Sequence, residues 1–185
     1  MLSVAELNGM AREAFVAALG AAWERSPWVA EAAWERRPFA DLGELHGAMV
    51  ATVAAAPRER QLALIRAHPD LAAPRPAPPA GYPAEGWVGY PAAIAGELTA
   101  ESTREQASAG LDRLTAEQVE RFHRLNEAYK ARFGFPFVVC VREHTRASIL
   151  AAFERRLGHT AEGEVETALG EIGKIARLRL EEKIE

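Results

Sequence analysis

Apolar positions along this chain recur mostly at spacings of three and four, the period of a helix with one buried face. Between Ala11 and Trp23 the residues Phe15, Val16, Leu19 and Trp23 share such a face. Ser26-Pro27 then predicts a helix start, since serine accepts a hydrogen bond from a free amide and proline is preset for the first turn. Asp41 is expected to cap a helix carrying Leu45, Met49 and Val53, and Pro57 opens another through Leu62 and Ile65 that ends near His68-Pro69. The pattern returns at Thr99 and runs to Gly110, a residue suited to a helix C-terminus. Thr115 and Gln118 match a capping box ahead of Val119, Phe122, Leu125, Tyr129 and Phe133. Thr145 is placed to cap a helix with Ile149, Leu150, Phe153 and Leu157, and a last helix spans about Thr160 to Glu182. The expected fold is all-α, with residues 1–185 forming a single-domain bundle of roughly eight helices.

Two stretches break the helical period. Residues 72–95 contain Pro74, Pro76, Pro78, Pro79, Pro83 and Pro91 with Gly81, Gly86 and Gly89, which preclude a regular helix. Tyr82, Trp87, Val88 and Tyr90 are too apolar for an indifferent linker. The segment is expected to be a long inserted loop, serving as a lid or an oligomer contact, with disorder as the competing reading. Gly134 to Val141 is the one run that looks extended, but it has no second strand to pair with. It is expected to be an irregular apolar crossing.

Net charge is −4, so no global basic field draws the protein to nucleic acid or an anionic membrane. Cys140 is the single cysteine, which excludes an intramolecular disulfide and a multi-cysteine zinc site. No apolar run approaches the roughly 20 residues of a membrane span. Glu6 and Glu13 argue against a signal peptide, and the expected compartment is the cytoplasm. His46, His68, His123, His144 and His159 are scattered without a His-Glu-x-x-His pair, and neither a phosphate-binding glycine loop nor a Gly-x-Ser-x-Gly elbow occurs. The expectation is acid–base chemistry on a small ligand, with no metal and no cofactor.

Three segments carry that chemistry: Ala67-His68-Pro69-Asp70-Leu71, the polar run Glu97 to Gln106, and Asn126 to Arg142 with its Arg-Phe-Gly-Phe-Pro-Phe crossing. In this order they resemble the His-Pro motif, the Ser-x-x-Glu-Gln motif and the crossing of the 2-oxo-4-hydroxy-4-carboxy-5-ureidoimidazoline (OHCU) decarboxylase family. The flanks agree, from Glu6-Leu7-Asn8 and Ser26-Pro27-Trp28 to the Ile175–Leu180 run. The resemblance covers nearly the whole chain apart from the proline-rich stretch, where the family usually runs short.

The resemblance implies His68 as the catalytic proton donor, assisted by Glu105. It also implies substrate binding by Pro69, Ser102, Thr103, Arg104, Gln106 and the run Phe137, Val138, Val139, Cys140 and Val141. Each has a structural alternative. A histidine before proline is often only a helix-terminal residue favoured by the dipole. Ser102 and Glu105 also form a capping box, unless the helix begins near Thr99, which places Ser102, Glu105 and Gln106 at i, i+3 and i+4 on one face. Phe137 to Val141 reads equally as core, although irregular backbone needs hydrogen-bond partners that a ureido heterocycle can supply, with Phe137 covering its flat face. Arg179 continues the apolar stripe of the last helix, so it needs an anion: a substrate carboxylate, or an acid of the chain. Arg142 is a weaker candidate for the same carboxylate.

By the same resemblance the reaction is the cofactor-free decarboxylation of OHCU to S-allantoin in urate breakdown, performed by a homodimer. The released electron pair is absorbed by the adjacent ring C=N, and His68 with Glu105 manages the proton. Two rivals remain: a decarboxylase or lyase on a related ureido heterocycle, and a non-catalytic helical interaction module.

Overall fold

The computed structural model describes residues 1–72 and 99–185. Apart from Ala72, the inserted loop expected over 72–95 lies outside the described residues. Among them the fold is all-α: nine α-helices, two short 3-10 turns, and no strand beyond an isolated bridge between Leu2 and Ile184. The backbone divides into two compact units, one of residues Met1–Ala67 with Val165–Glu185, the other of His68–Glu164.

The first unit opens with α1 (Val4–Gly9), which the apolar pattern does not announce. A capping box makes it: the Ser3 hydroxyl accepts from the Glu6 amide at 3.2 Å, and the Glu6 carboxylate accepts from the Ser3 amide at 2.7 Å. The expected helix from Ala11 to Trp23 is shorter, α2 (Arg12–Leu19), and a 3-10 turn over Gly20–Ala22 carries the chain to the buried Trp23. α3 (Trp28–Trp34) follows Pro27, but Ser26 does not cap it with its side chain; its carbonyl accepts from the Val29 amide at 3.1 Å. Asp41 does cap α4 (Leu42–Ala55), accepting from the Glu44 amide at 2.9 Å. α5 (Arg58–Arg66) begins after Pro57 as expected. Phe15, Leu19, Trp23, Leu45 and Met49 are fully or almost fully buried, so the helical stripe read from the sequence is the core face. α9 (Ala161–Glu181) supplies most of its length to this unit.

The second unit holds α6 (Ala100–Ser108), α7 (Ala116–Phe133), α8 (Arg146–Arg156) and the first turn of α9. Thr115 with Gln118 and Thr145 with Ser148 form complete capping boxes at α7 and α8. Gly134 ends α7 with φ +76, the left-handed conformation that glycine adopts without a Cβ penalty. The chain then crosses as irregular apolar backbone, Phe135 to Val141, every residue of it buried. A ring cluster surrounds it: Tyr129 meets Phe137 edge-on at 5.3 Å, and Phe137 stacks on Phe153.

Candidate active site

α5 ends at Arg66, and two residues later His68 stands 7% exposed, followed by Pro69. Proline disfavours helical geometry at the residue before it, so the chain leaves the helix at this point. The segment that follows is pinned from two helices of the second unit. On α6, the Gln106 side-chain amide bridges it, donating to the Asp70 carbonyl at 3.3 Å and accepting from the Ala72 amide at 3.0 Å. On α7, Asn126 donates to the Leu71 carbonyl at 2.8 Å, and Lys130 meets the Asp70 carboxylate at 2.6 Å. Ala72 has φ +50, a conformation that costs an alanine about 1–2 kcal/mol and needs such anchoring. The Asp70 bond, followed by the one to Glu127, raises the pKa of Lys130 and holds it charged.

α6 decides between the two registers open in the sequence. Thr99 is the cap, accepting from the Ser102 amide at 3.2 Å, so Ser102 lies inside the helix rather than capping it. Ser102 is buried, and Glu105 and Gln106 are half-buried on the same side. Arg104, two residues from each end of that group, is turned by about 200° and is exposed. Its guanidinium bonds back to the Ala100 carbonyl and pairs loosely with Glu101. The Thr103 hydroxyl donates to the Thr99 carbonyl at 2.9 Å. The helix therefore presents Ser102, Glu105 and Gln106 together and sets Arg104 apart from them.

The crossing reaches the same neighbourhood, since the 3-10 turn Val141–Glu143 that ends it packs against α6. Its backbone is held by a buried charge that the sequence reading missed. Arg156 on α8 is 2% exposed; its Nη1 donates to the Val138 carbonyl at 2.7 Å and its Nε to Glu164 at 2.7 Å. Glu164, fully buried, also accepts from the Tyr129 hydroxyl and pairs with His159 Nδ1 at 2.8 Å. Burial, then the bond to Glu164, pushes the Tyr129 phenol well above its ordinary range. Phe137 has Phe153 stacked at 3.7 Å and the Arg156 guanidinium at 4.3 Å. The carbonyls of Cys140 and Val141 accept from the Glu143 and His144 amides.

Two arginines complete the placement. Arg179 lies in the first unit, 3% exposed, with its Nη1 on Glu24 at 2.9 Å and near the Ala21 carbonyl at 3.4 Å. Of the anions open to it in the sequence, the structure provides Glu24. Arg142 is exposed. One signal for the missed residues was present: Asn126 sits four residues after Phe122 and three before Tyr129, a polar residue on the buried stripe, where Leu125 was assigned instead. Arg156 and Glu164 offered no such signal, since an arginine in a last turn and a glutamate in a first turn are ordinary dipole partners.

The family model for OHCU decarboxylase matches residues 8–181. The chain belongs to the OHCU decarboxylase family. Among curated relatives, 2-oxo-4-hydroxy-4-carboxy-5-ureidoimidazoline decarboxylase of Haloferax volcanii is 43% identical over 98% of this chain and 96% of its own length. The decarboxylase of Mus musculus is 38% identical over 97% and 91%. Of solved structures, an (S)-allantoin synthase superposes with a TM-score of 0.73 at 30% identity, covering 99% of this chain and 54% of that one. An OHCU decarboxylase structure determined in the presence of (S)-allantoin is 21% identical with a TM-score of 0.59, covering 83% and 87%, and so agrees in fold. Among the described residues no helix is long and apolar enough to cross a membrane.

Proposed function

We infer that this protein is a carboxy-lyase that decarboxylates OHCU, yielding allantoin in urate degradation, as the names of its relatives, one of them a uric acid degradation bifunctional protein of Bacillus subtilis, describe for them. The observation that carries the reading is local. The segment that follows His68 is bonded to α6, which carries Ser102, Glu105 and Gln106 and packs against the turn ending the buried crossing, all within one unit although long stretches of sequence separate them. That convergence favours an enzyme over a helical interaction module, for which a capping serine and an exposed Glu105 would serve as well. The two segments, His68–Ala72 and the crossing, are both non-helical and both tied down, as a preorganised site requires.

The chemistry follows from the substrate's own bonds. The carbon–carboxylate bond breaks, CO2 leaves, and the electron pair passes into the adjacent ring C=N. A proton must then reach ring carbon, and the face it reaches sets the handedness of the product. We assign the proton handling to His68, whose ordinary pKa lies near neutrality, with Glu105 as its partner. Ser102, Pro69 and the backbone of Val138 to Val141 are assigned to holding the ring, so that one face is protonated and S-allantoin is formed. Thr103 and Arg104 also support the helix, through their bonds to the Thr99 and Ala100 carbonyls. The resemblance adds a homodimer, and the sequence, without a signal-peptide pattern, adds the cytoplasm as its compartment.

The test is circular dichroism of allantoin formed from OHCU generated in place by urate oxidase and hydroxyisourate hydrolase. The wild-type protein is expected to give a fast chiral signal above the spontaneous background. His68→Ala is expected to lower kcat by about 10²–10⁴-fold and to erase the enantiomeric excess. Full rate and full excess in that variant would remove His68 from the mechanism.

A further inference from the structure

Asn126 is a buried polar residue that the mechanism above does not use. It is 2% exposed, on α7, within the stripe that faces the interior of its unit. Its amide orientation is fixed by chemistry: the Leu71 carbonyl at 2.8 Å can only accept, so the nitrogen of Asn126 faces it. The oxygen, Oδ1, is thereby turned elsewhere. It is buried and, among the described residues, has no hydrogen-bond donor. A buried acceptor left without a donor is a standing penalty in the folded protein, and native structures keep few of them.

The position of this oxygen gives it a meaning. Asn126 is tied to the residue three places beyond His68, in the segment that Gln106 and Lys130 also fix. Three residues span at most about 10 Å of extended chain, so the Leu71 carbonyl that Asn126 holds lies no farther than that from the His68 backbone. With the reacting ring carbon at His68, a part of OHCU that reached along this segment to Oδ1 would have to offer it a donor, and the ureido arm is the substituent suited to that. That arm is rich in N–H groups and poor in anything else a buried amide oxygen could bind.

We propose that Asn126 is a substrate-binding residue whose Oδ1 accepts an N–H of the ureido arm. The proposal rests on the placement of the reacting ring at His68 argued above. Asn126 then has two jobs on one side chain: its nitrogen fixes the backbone after His68, and its oxygen fixes the substrate against that backbone. The pairing sets the distance between proton donor and ring through a single rigid amide.

The test compares inhibition by (S)-allantoin, which carries the ureido arm, with inhibition by hydantoin, which is the ring alone. For wild-type protein allantoin is expected to bind more tightly than hydantoin. In Asn126→Ala, allantoin affinity is expected to fall roughly 5- to 150-fold while hydantoin affinity changes less than about 2-fold. Equal weakening of both ligands would overturn the proposal and leave Asn126 as a pin for Leu71 only. If that variant does not fold, a crystal structure of the wild-type protein with allantoin decides. A ureido nitrogen at roughly 2.7–3.2 Å from Oδ1 supports the proposal, and an ordered water in that place overturns it. Wild-type protein that neither consumes OHCU nor binds allantoin overturns the functional reading itself, and the two failures are thereby told apart.

Discussion

Two irregular segments lie in the second unit, and they are held by opposite means. The His68–Ala72 turn is tied by side-chain amides and a partly exposed ion pair: Gln106, Asn126 and Lys130 each bond it once or twice. The Phe137–Val141 crossing is tied by a buried charge, the Arg156 guanidinium, which is itself neutralised by a fully buried glutamate. Amide bonds are worth about 1 kcal/mol each and can be remade when a segment shifts. A buried guanidinium with its partner removed is costly in any position, so it permits one arrangement. The crossing is therefore a fixed wall, whereas the turn carrying His68 is positioned by contacts that can be weakened singly.

The largest effect should come from the wall. Arg156→Met leaves Glu164 charged and buried with Tyr129 and His159 as its remaining partners, and it frees the Val138 carbonyl. The expected destabilisation is about 3–5 kcal/mol, read from urea unfolding. Pairing it with Glu164→Leu removes both charges and should recover much of that loss, since a buried ion pair replaced by apolar groups is often nearly neutral. A single variant as stable as wild type would show that the crossing is held by its aromatic packing, not by Arg156.

This contrast also marks what the sequence made legible. The Thr99 cap, the Thr115 and Thr145 boxes and the helix-ending Gly134 are local signals, and the elements they delimit were readable from residues three or four apart. The His-Pro segment and the crossing were readable because each departs from helical period over a short run. Arg156 and Glu164 were not, because eight residues and a helix break separate them and each is conventional where it stands. α1 escaped because only its capping box, and no apolar stripe, signals it. Arg179 shows the intermediate case. Its place on an apolar stripe foretold burial and a need for an anion, but nothing local could choose Glu24, which lies 155 residues away.

A middle-sized effect is expected from the turn. Gln106→Leu removes the bridge from the Asp70 carbonyl to the Ala72 amide, and with it the support for a positive φ at Ala72. Stability should fall by about 1–3 kcal/mol. Steady-state kinetics should show a kcat lower by roughly 10- to 100-fold, because the His68 side chain loses its fixed placement. Gln106→Glu keeps the acceptor for the Ala72 amide and should restore part of kcat. A KM effect with kcat unchanged would instead make Gln106 a direct substrate contact and the turn self-supporting.

The smallest effect should come from the exposed pin. The Lys130–Asp70 pair is more than a third exposed on the lysine side, so solvent and salt screen it, and Lys130→Met should cost no more than about 1 kcal/mol. Its pH signature has a definite sign. The folded-state pKa of Lys130 is raised above its ordinary value of 10.5, first by the Asp70 bond. The stabilisation is thus fully present below that ordinary value and is lost as pH rises through the higher folded one. Near neutral pH, raising salt from low to high ionic strength should narrow the gap between wild type and Lys130→Met. Raising pH past 10.5 should narrow it further, with no change on acidification to pH 6. A gap unmoved by salt and alkali alike would mean that the lysine stem, packed along α7, fixes the turn and the charge does not.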